Sequence, residues 1–272
     1  MTQWILKQFA PFEATWNERL FVRCVYAWFL VFQLIYFPSL SSIWGESSAL
    51  IRYSAPNTWI NNHVYILMYD LSLYRYAIAL HVTAAFFSLF HFRGVFFFRI
   101  TVWITGILLY FSGMPALNSG YLFMLLLALY ASVFTAKTDS PWLSFFSRMS
   151  LRTVIFQTYL VYVFSALYKV TSMQWLSGEA LYYSLTNDRF SWPFVAWFIE
   201  QIPLVFVVIF AYFLMAFQLF FPLWVNWKLT RKQAIWIGVS LHLFIGLFLF
   251  IWDFALAMTI PYLLFEKSRR TD

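Results

Sequence analysis

Charge is scarce in this sequence. Only 11% of its 272 residues are Asp, Glu, Lys or Arg, while 62% are hydrophobic. A soluble domain of this length needs far more charge on its surface, so a soluble enzyme or carrier is excluded. Cysteine is scarcer still. Cys24 stands alone, so no intramolecular disulfide is available, and no Cys/His metal motif occurs; no metal site is expected. There is no Walker loop, no GxGxxG, no HExxH and no GxSxG, which removes support for ATP hydrolysis, zinc proteolysis and serine hydrolysis by those routes. No internal repeat is evident, and that counts against a secondary transporter built from paired halves. No low-complexity linker divides the chain, and no soluble domain is expected, so 1–272 reads as a single membrane domain. The first twenty residues, MTQWILKQFAPFEATWNERL, are too polar and acidic for a cleaved signal peptide, which leaves the first apolar run as the insertion signal.

What is present is apolar length. Several runs reach the ~18–20 residues that cross a bilayer. The 34 Phe, 17 Tyr and 14 Trp suit aromatic belts at both interfaces. The expected fold is all-α: a polytopic helical membrane protein with seven or eight transmembrane helices plus an interfacial amphipathic segment. The expected spans are Leu20–Leu40, Leu71–Phe92, Gly94–Phe111, Tyr121–Phe134, Thr153–Val170 and Leu204–Val225, followed by a long last run, Gln233–Phe265. That run holds either one span and a re-entrant half or two short spans. Ser41–Asp70 reads as a polar connection. Thr171–Pro203, with SWPFVAWFIEQIP inside it, is too polar to span and reads as lying in the interface.

The net charge of +7 sits in short loops beside apolar runs, so it reports topology and not nucleic-acid binding. Arg93 and Arg99, then Lys137, Arg148 and Arg152, then Lys228, Arg231 and Lys232 fall on one side if the N-terminus is cytoplasmic. The expected location is the plasma (inner) membrane, multi-pass, with Lys169 on the outer face. The basic tail EKSRRTD argues for a cytoplasmic end and an even number of spans.

Ionisable groups inside spans are costly, and each is a site candidate. Thr158, Tyr162, Ser165 and Lys169 follow one another at offsets of four, three and four, so they share a helical face. Lys169 has two readings: a base at the head of a pocket, or an anchor reaching the headgroups. Gly238, His242 and Gly246, each four apart, form a small-residue stripe that lets another helix approach closely; His242 there serves structure or proton transfer. Asp253 would lie about three turns beyond His242 on a continuous helix, too far to pair without a break. His81, beside Ala77, Ala84, Ala85 and Ser88, reads as structural. Arg23 lies deep enough in the first span for a buried partner.

The run YVFSALYKVTSMQWLSGEALYYSLTNDRF resembles the signature of the HTTM (horizontally transferred transmembrane) domain family, which includes the membrane part of vitamin K-dependent gamma-carboxylase. The shared features are an aromatic-rich helix ending in Lys169, then Trp175 and Gly178, then Ala180-Leu181-Tyr182-Tyr183. Pro222, the basic loop Lys228–Lys232, His242 and Phe254 follow the family's order downstream, and Arg23 fits the arginine usual in its first span. The resemblance is densest over 162–265. It implies Lys169 as the base that begins oxygenation of a reduced quinone, with His242 and Tyr162 beside it, and Trp175, Gly178, Ser165, Asn118 and Arg23 around the substrate. The chain departs from the carboxylase at Ser119, where a histidine stands, and at Gln218, where an acidic residue is common. The carboxylase's large extracytoplasmic domain has no counterpart within the 272 residues. The expectation is therefore a stand-alone bacterial type, a membrane enzyme or maturation factor working on a lipid-soluble or membrane-delivered peptide substrate. The competing expectation is a non-catalytic scaffold whose Thr171–Pro203 segment docks a secreted peptide or small accessory protein. The lipid bilayer is a partner in both readings, and nucleic acid in neither.

Overall fold

The computed structural model describes residues 7–36, 73–113, 119–187 and 191–266. These are helical almost throughout, and they divide into two compact units, 1–152 and 153–272.

The first unit is organised around helix α1 (Trp16–Tyr36). Its start is a capping box: the Thr15 Oγ1 accepts from the Glu18 amide at 3.3 Å, and the Glu18 carboxylate accepts from the Thr15 amide at 2.6 Å. Just before it, β1 (Phe12–Glu13) pairs antiparallel with β2 (Lys137–Thr138). Helices α2 (Tyr74–Ser88), α3 (Val95–Gly113) and α4 (Ser119–Ser132) surround the inner face of α1, where Phe21, Val25, Tyr26, Phe29 and Phe32 are buried. Polar links inside this apolar body are few and specific. The Tyr26 hydroxyl donates to the Ala128 carbonyl at 3.1 Å. The His81 Nδ1 lies 2.7 Å from the Thr105 hydroxyl. That hydroxyl already donates to the Thr101 carbonyl at 2.7 Å, so His81 is the donor and ties α2 to α3. This is the structural role the small-residue face of α2 suggested.

Helix α5 (Pro141–Val170) begins in the first unit and ends in the second. The expected span begins only at Thr153, with KTDSPWLSFFSRMSLR as the loop before it. The structure extends it by three turns, because Pro141 supplies the fixed φ suited to a first helical position and Ser144, Ser147, Ser150 and Leu151 give the extension a buried side.

In the second unit, the segment after α5 folds as three short helices: α6 (Met173–Leu176), α7 (Glu179–Thr186) and α8 (Pro193–Gln201). Helix α8 buries Val195, Ala196 and Ile199 and exposes Phe194, Trp197 and Phe198, so its outer face is aromatic and not polar. Leu181 and Leu185 of α7 join that buried set against Val207 and Ala211 of α9 (Leu204–Asn226). Helix α10 (Arg231–Leu249) follows, then α11 (Trp252–Thr259) and a 3₁₀ turn over Ile260–Leu264.

The last apolar run therefore breaks at Phe250, whose φ is +53°, the left-handed conformation in which helices commonly end. No glycine or proline marks the point. The break is held instead by Trp192, whose indole N–H donates to the Leu247 carbonyl at 2.7 Å, one of the carbonyls a helix end leaves without a partner. The Trp192 ring also packs on Phe250 at 4.4 Å. Beyond the break the chain returns along the small-residue stripe of α10. A Cβ on Gly246 would meet the Trp252 ring at 2.7 Å, and one on Gly238 would collide with the Tyr262 hydroxyl. The stripe does what its spacing suggested, and the helix it admits comes from the same run.

Three of the described helices, α5, α9 and α10, are long and apolar enough to cross a membrane. The expected seven or eight are not met. Helix α2 has 15 residues and α4 has 14, and the last run is divided at Phe250 into 19 and 8. The polar connection Ser41–Asp70 lies outside the described residues.

Candidate functional site

The polar stripe of α5 opens onto a cavity of about 260 Å³ within the second unit. Its walls are mainly apolar, with Leu181, Leu185, Phe210, Leu214, Phe217 and Phe244 among them. The stripe residues Tyr162, Ser165 and Lys169 line it together, and Trp175 and His242 join from α6 and α10. Thr158, one turn earlier, is buried and spends its hydroxyl on the Val154 carbonyl of its own helix at 2.8 Å, so the functional part of the stripe begins at Tyr162.

Lys169 is held by neutral groups. Its ammonium donates to the Ser165 hydroxyl at 2.6 Å and to the Gln218 side-chain carbonyl at 3.1 Å. It stands 4.9 Å from the centre of the Trp175 ring, within the range of a cation–π contact. No carboxylate pairs with it among the described residues. A lysine that merely anchors a helix sends its head away to water and phosphate; this one turns back onto its own helix and across to α9.

Below it lies a row of three bonded groups. The Tyr162 hydroxyl is 2.6 Å from His242 Nε2 and 2.5 Å from the Tyr262 hydroxyl. Each of the three can donate and accept, so a proton can be passed along the row in either sense. The Phe221 ring stacks on Tyr162 at 4.3 Å, which fixes the phenol's direction. The His242 Nδ1 is buried, with no partner among the described residues.

The other expected site residues fall elsewhere. Gly178 does not line the cavity. Its φ is +80° and a Cβ there would meet Val208 at 2.7 Å, so it turns the chain into α7 and lets that helix approach α9. Arg23 belongs to the first unit, where its side chain is exposed. Asn118 lies outside the described residues. Two participants were not picked out as site residues, Gln218 and Tyr262. Gln218 carried a signal: it is the one amide inside the apolar run LVFVVIFAYFLMAFQLFF, and such a group needs a partner. Tyr262 carried none, because only the break at Phe250 returns it to α10.

Compared with known proteins, the chain matches no family model, no curated protein and no solved structure.

Proposed function

We propose that this is a multi-pass membrane protein of HTTM type, in which Lys169 serves as a general base toward a lipid-soluble or membrane-delivered substrate. The observation that carries this reading is the setting of Lys169: an amine in the wall of an apolar cavity, bonded only to neutral acceptors. In its neutral form the amine offers a lone pair for a proton. Once protonated, its N–H bonds are received by Ser165 and Gln218, and its charge is eased by the Trp175 face. The row His242–Tyr162–Tyr262 then gives the site a second place to hold or release a proton. In the membrane, α5, α9 and α10 cross the bilayer, and shorter apolar helices supply further crossings. The basic loops face the cytoplasm with the N-terminus, and Lys169 faces outward in an inner membrane.

A reduced quinone fits the chemistry of the cavity. Trp175, Phe210, Phe217 and Phe244 are suited to a flat ring, and Lys169 to one of its oxygens. The volume is below the ~300–1,000 Å³ usual for drug-sized ligands, which suits a ring and not a whole tailed lipid. Such a group supplies an acidic hydroxyl and reducing electrons. Lys169 would hold the hydroxyl proton at Nζ, and the apolar walls would keep water from competing for it.

The test is anaerobic equilibrium binding of dithionite-reduced 2-methyl-1,4-naphthoquinone to the full chain in detergent. The proposal expects Lys169→Ala to weaken binding about tenfold or more, the loss of one charge-assisted hydrogen bond, with thermal unfolding little changed. Equal binding by wild type and variant would sink it. A second reading, a scaffold that docks a secreted peptide or small accessory protein, draws on the aromatic outer face of α8. Trp197 is 63% exposed there, with Phe194 and Phe198 beside it. Trp192 is less available to a partner, being bonded to Leu247. On that reading Trp197→Ala breaks capture and Lys169→Ala does not.

A further inference from the structure

A second cavity, of about 660 Å³, lies in the first unit between the turn joining α2 to α3 and the segment joining α4 to β2. Its polar lining joins two basic side chains to His91, Ser132 and Thr135. Arg93 and Lys137 line it, both exposed, and neither is paired with a carboxylate among the described residues. Directly behind the wall stands Arg99. The sequence reading placed Arg99 at the edge of a basic loop; the structure places it inside α3, with no exposed surface. Its guanidinium donates to the Phe134 carbonyl at 2.6 Å and to His91 Nδ1 at 3.2 Å, and its Nε has no partner among the described residues. Phe134 and His91 are themselves lining residues.

That arrangement fixes the histidine. A guanidinium only donates, so His91 Nδ1 accepts and the proton of the neutral ring sits on Nε2. The Nε2–H is buried, with no partner among the described residues. Among those residues, no carboxylate pairs with the buried guanidinium and no acceptor meets the buried donor. Both are costly to leave so. Burial, and after it the positive charges of Arg99, Arg23 and Arg19, push the pKa of His91 down to about 4. Of the nearby carboxylates, Glu18 caps α1, Glu13 is 3.5 Å from Arg19 and stands opposite Lys137 in the β1–β2 pair, and Asp139 is exposed beyond β2. Gly94 lines the cavity in front of the α3 N-terminus, and a Cβ there would meet nothing within 4 Å, so the backbone can be approached closely. The rim is apolar, with Phe92, Phe96, Leu143 and Phe146 each more than 40% exposed.

We propose that this cavity binds a phosphate group, with Arg93 and Lys137 as its donors and Arg99 as the charge behind them. A phosphate offers several acceptor oxygens and the negative charge the site lacks. Basic pockets among membrane helices take anionic lipid headgroups in this way, and the apolar rim suits acyl chains. A free phosphate ester shares the recognised chemistry.

The test uses the full chain in detergent and three probes: dihexanoyl phosphatidic acid, dihexanoylglycerol, which lacks the phosphate, and inorganic phosphate. The phosphatidic acid should bind at least tenfold more tightly than the diacylglycerol. Each of Arg93→Gln and Lys137→Gln should weaken it about fivefold and the pair about thirtyfold, at the ~1 kcal/mol per basic residue typical near headgroups. Both side chains are exposed, so the variants should unfold at the wild-type temperature. Inorganic phosphate binding as tightly as the lipid, and weakened by the same variants, assigns the site to a free phosphate; weaker inorganic binding assigns it to a headgroup. Equal affinity for the two lipids, or a double variant that binds phosphatidic acid as wild type does, overturns the proposal.

Discussion

A methyl group added at Gly238 tests whether the end of the chain folds back as described. The Cβ would land on the Tyr262 hydroxyl and within 3.0 Å of its ring edge. Tyr262 is buried, 4% exposed, and its hydroxyl is bonded to Tyr162 at 2.5 Å, so the phenol cannot simply swing aside. Overpacking of this kind costs ~1–3 kcal/mol, and the displaced hydrogen bond a further ~0.5–1.5 kcal/mol. The alanine returns up to ~1 kcal/mol of helix propensity. Gly238→Ala should thus destabilise by about 1–3 kcal/mol. Tyr262→Phe alone loses only the hydrogen bond, about 1 kcal/mol. In the double variant the nearest atom that the new methyl strikes is gone, although the methyl still meets the ring Cζ, so the two costs should add only in part, with a coupling of about 1 kcal/mol in favour of the double variant. The assay is equilibrium unfolding in detergent micelles across the four proteins of the cycle. Simple additivity would refute the reasoning, because it would mean that Gly238 and Tyr262 do not meet.

Two further outcomes follow from the first unit. Arg148 donates to three backbone carbonyls, those of Gln8, Ala10 and Pro11, at 2.7, 2.8 and 2.9 Å. Arg148→Met should free that segment by about 2 kcal/mol after allowance for its partial exposure, seen as roughly thirtyfold faster amide exchange over residues 8–14; unchanged exchange would remove the arginine from the account. His91 titrates at about 4 when folded, against an ordinary 6.5. The unfolded chain therefore takes the proton first, and the contribution is full above pH 6.5 and lost as pH falls through 4. His91→Gln keeps an acceptor for Arg99 and should flatten stability between pH 6.5 and 4; an identical pH profile in wild type and variant would contradict the burial and positive surroundings of this ring.

Periodicity was the legible part of this protein. Spacings of three and four placed Tyr162, Ser165 and Lys169 on one face, and the same arithmetic placed Gly238, His242 and Gly246 on another; the two faces meet at the Tyr162–His242 bond. Helix type was legible for the same reason, since apolar length and period are local properties. What long-range packing decides was not. The break at Phe250 depends on an indole from α8, and Tyr262 reaches Tyr162 only because of it. Arg99 looked like a loop cation because charge near a span end is usually solvated; its partners, a backbone carbonyl and a histidine on another turn, leave no trace in local pattern. Gly178 was read as a substrate contact and is a turn, because a glycine required for positive φ and one that approaches a ligand look alike in one sequence.

The central claim is that the Lys169 amine serves a molecule held in the apolar cavity. The most direct measurement is mass spectrometry of the lipids and peptides that co-purify with the wild-type chain and with Lys169→Ala from the same native membrane. The account predicts a lipid-soluble, reducible molecule or a membrane-delivered peptide retained by wild type and depleted in the variant, with the bulk lipids unchanged. The same complement of molecules in both preparations would contradict it and return Lys169 to the role of a helix-end anchor.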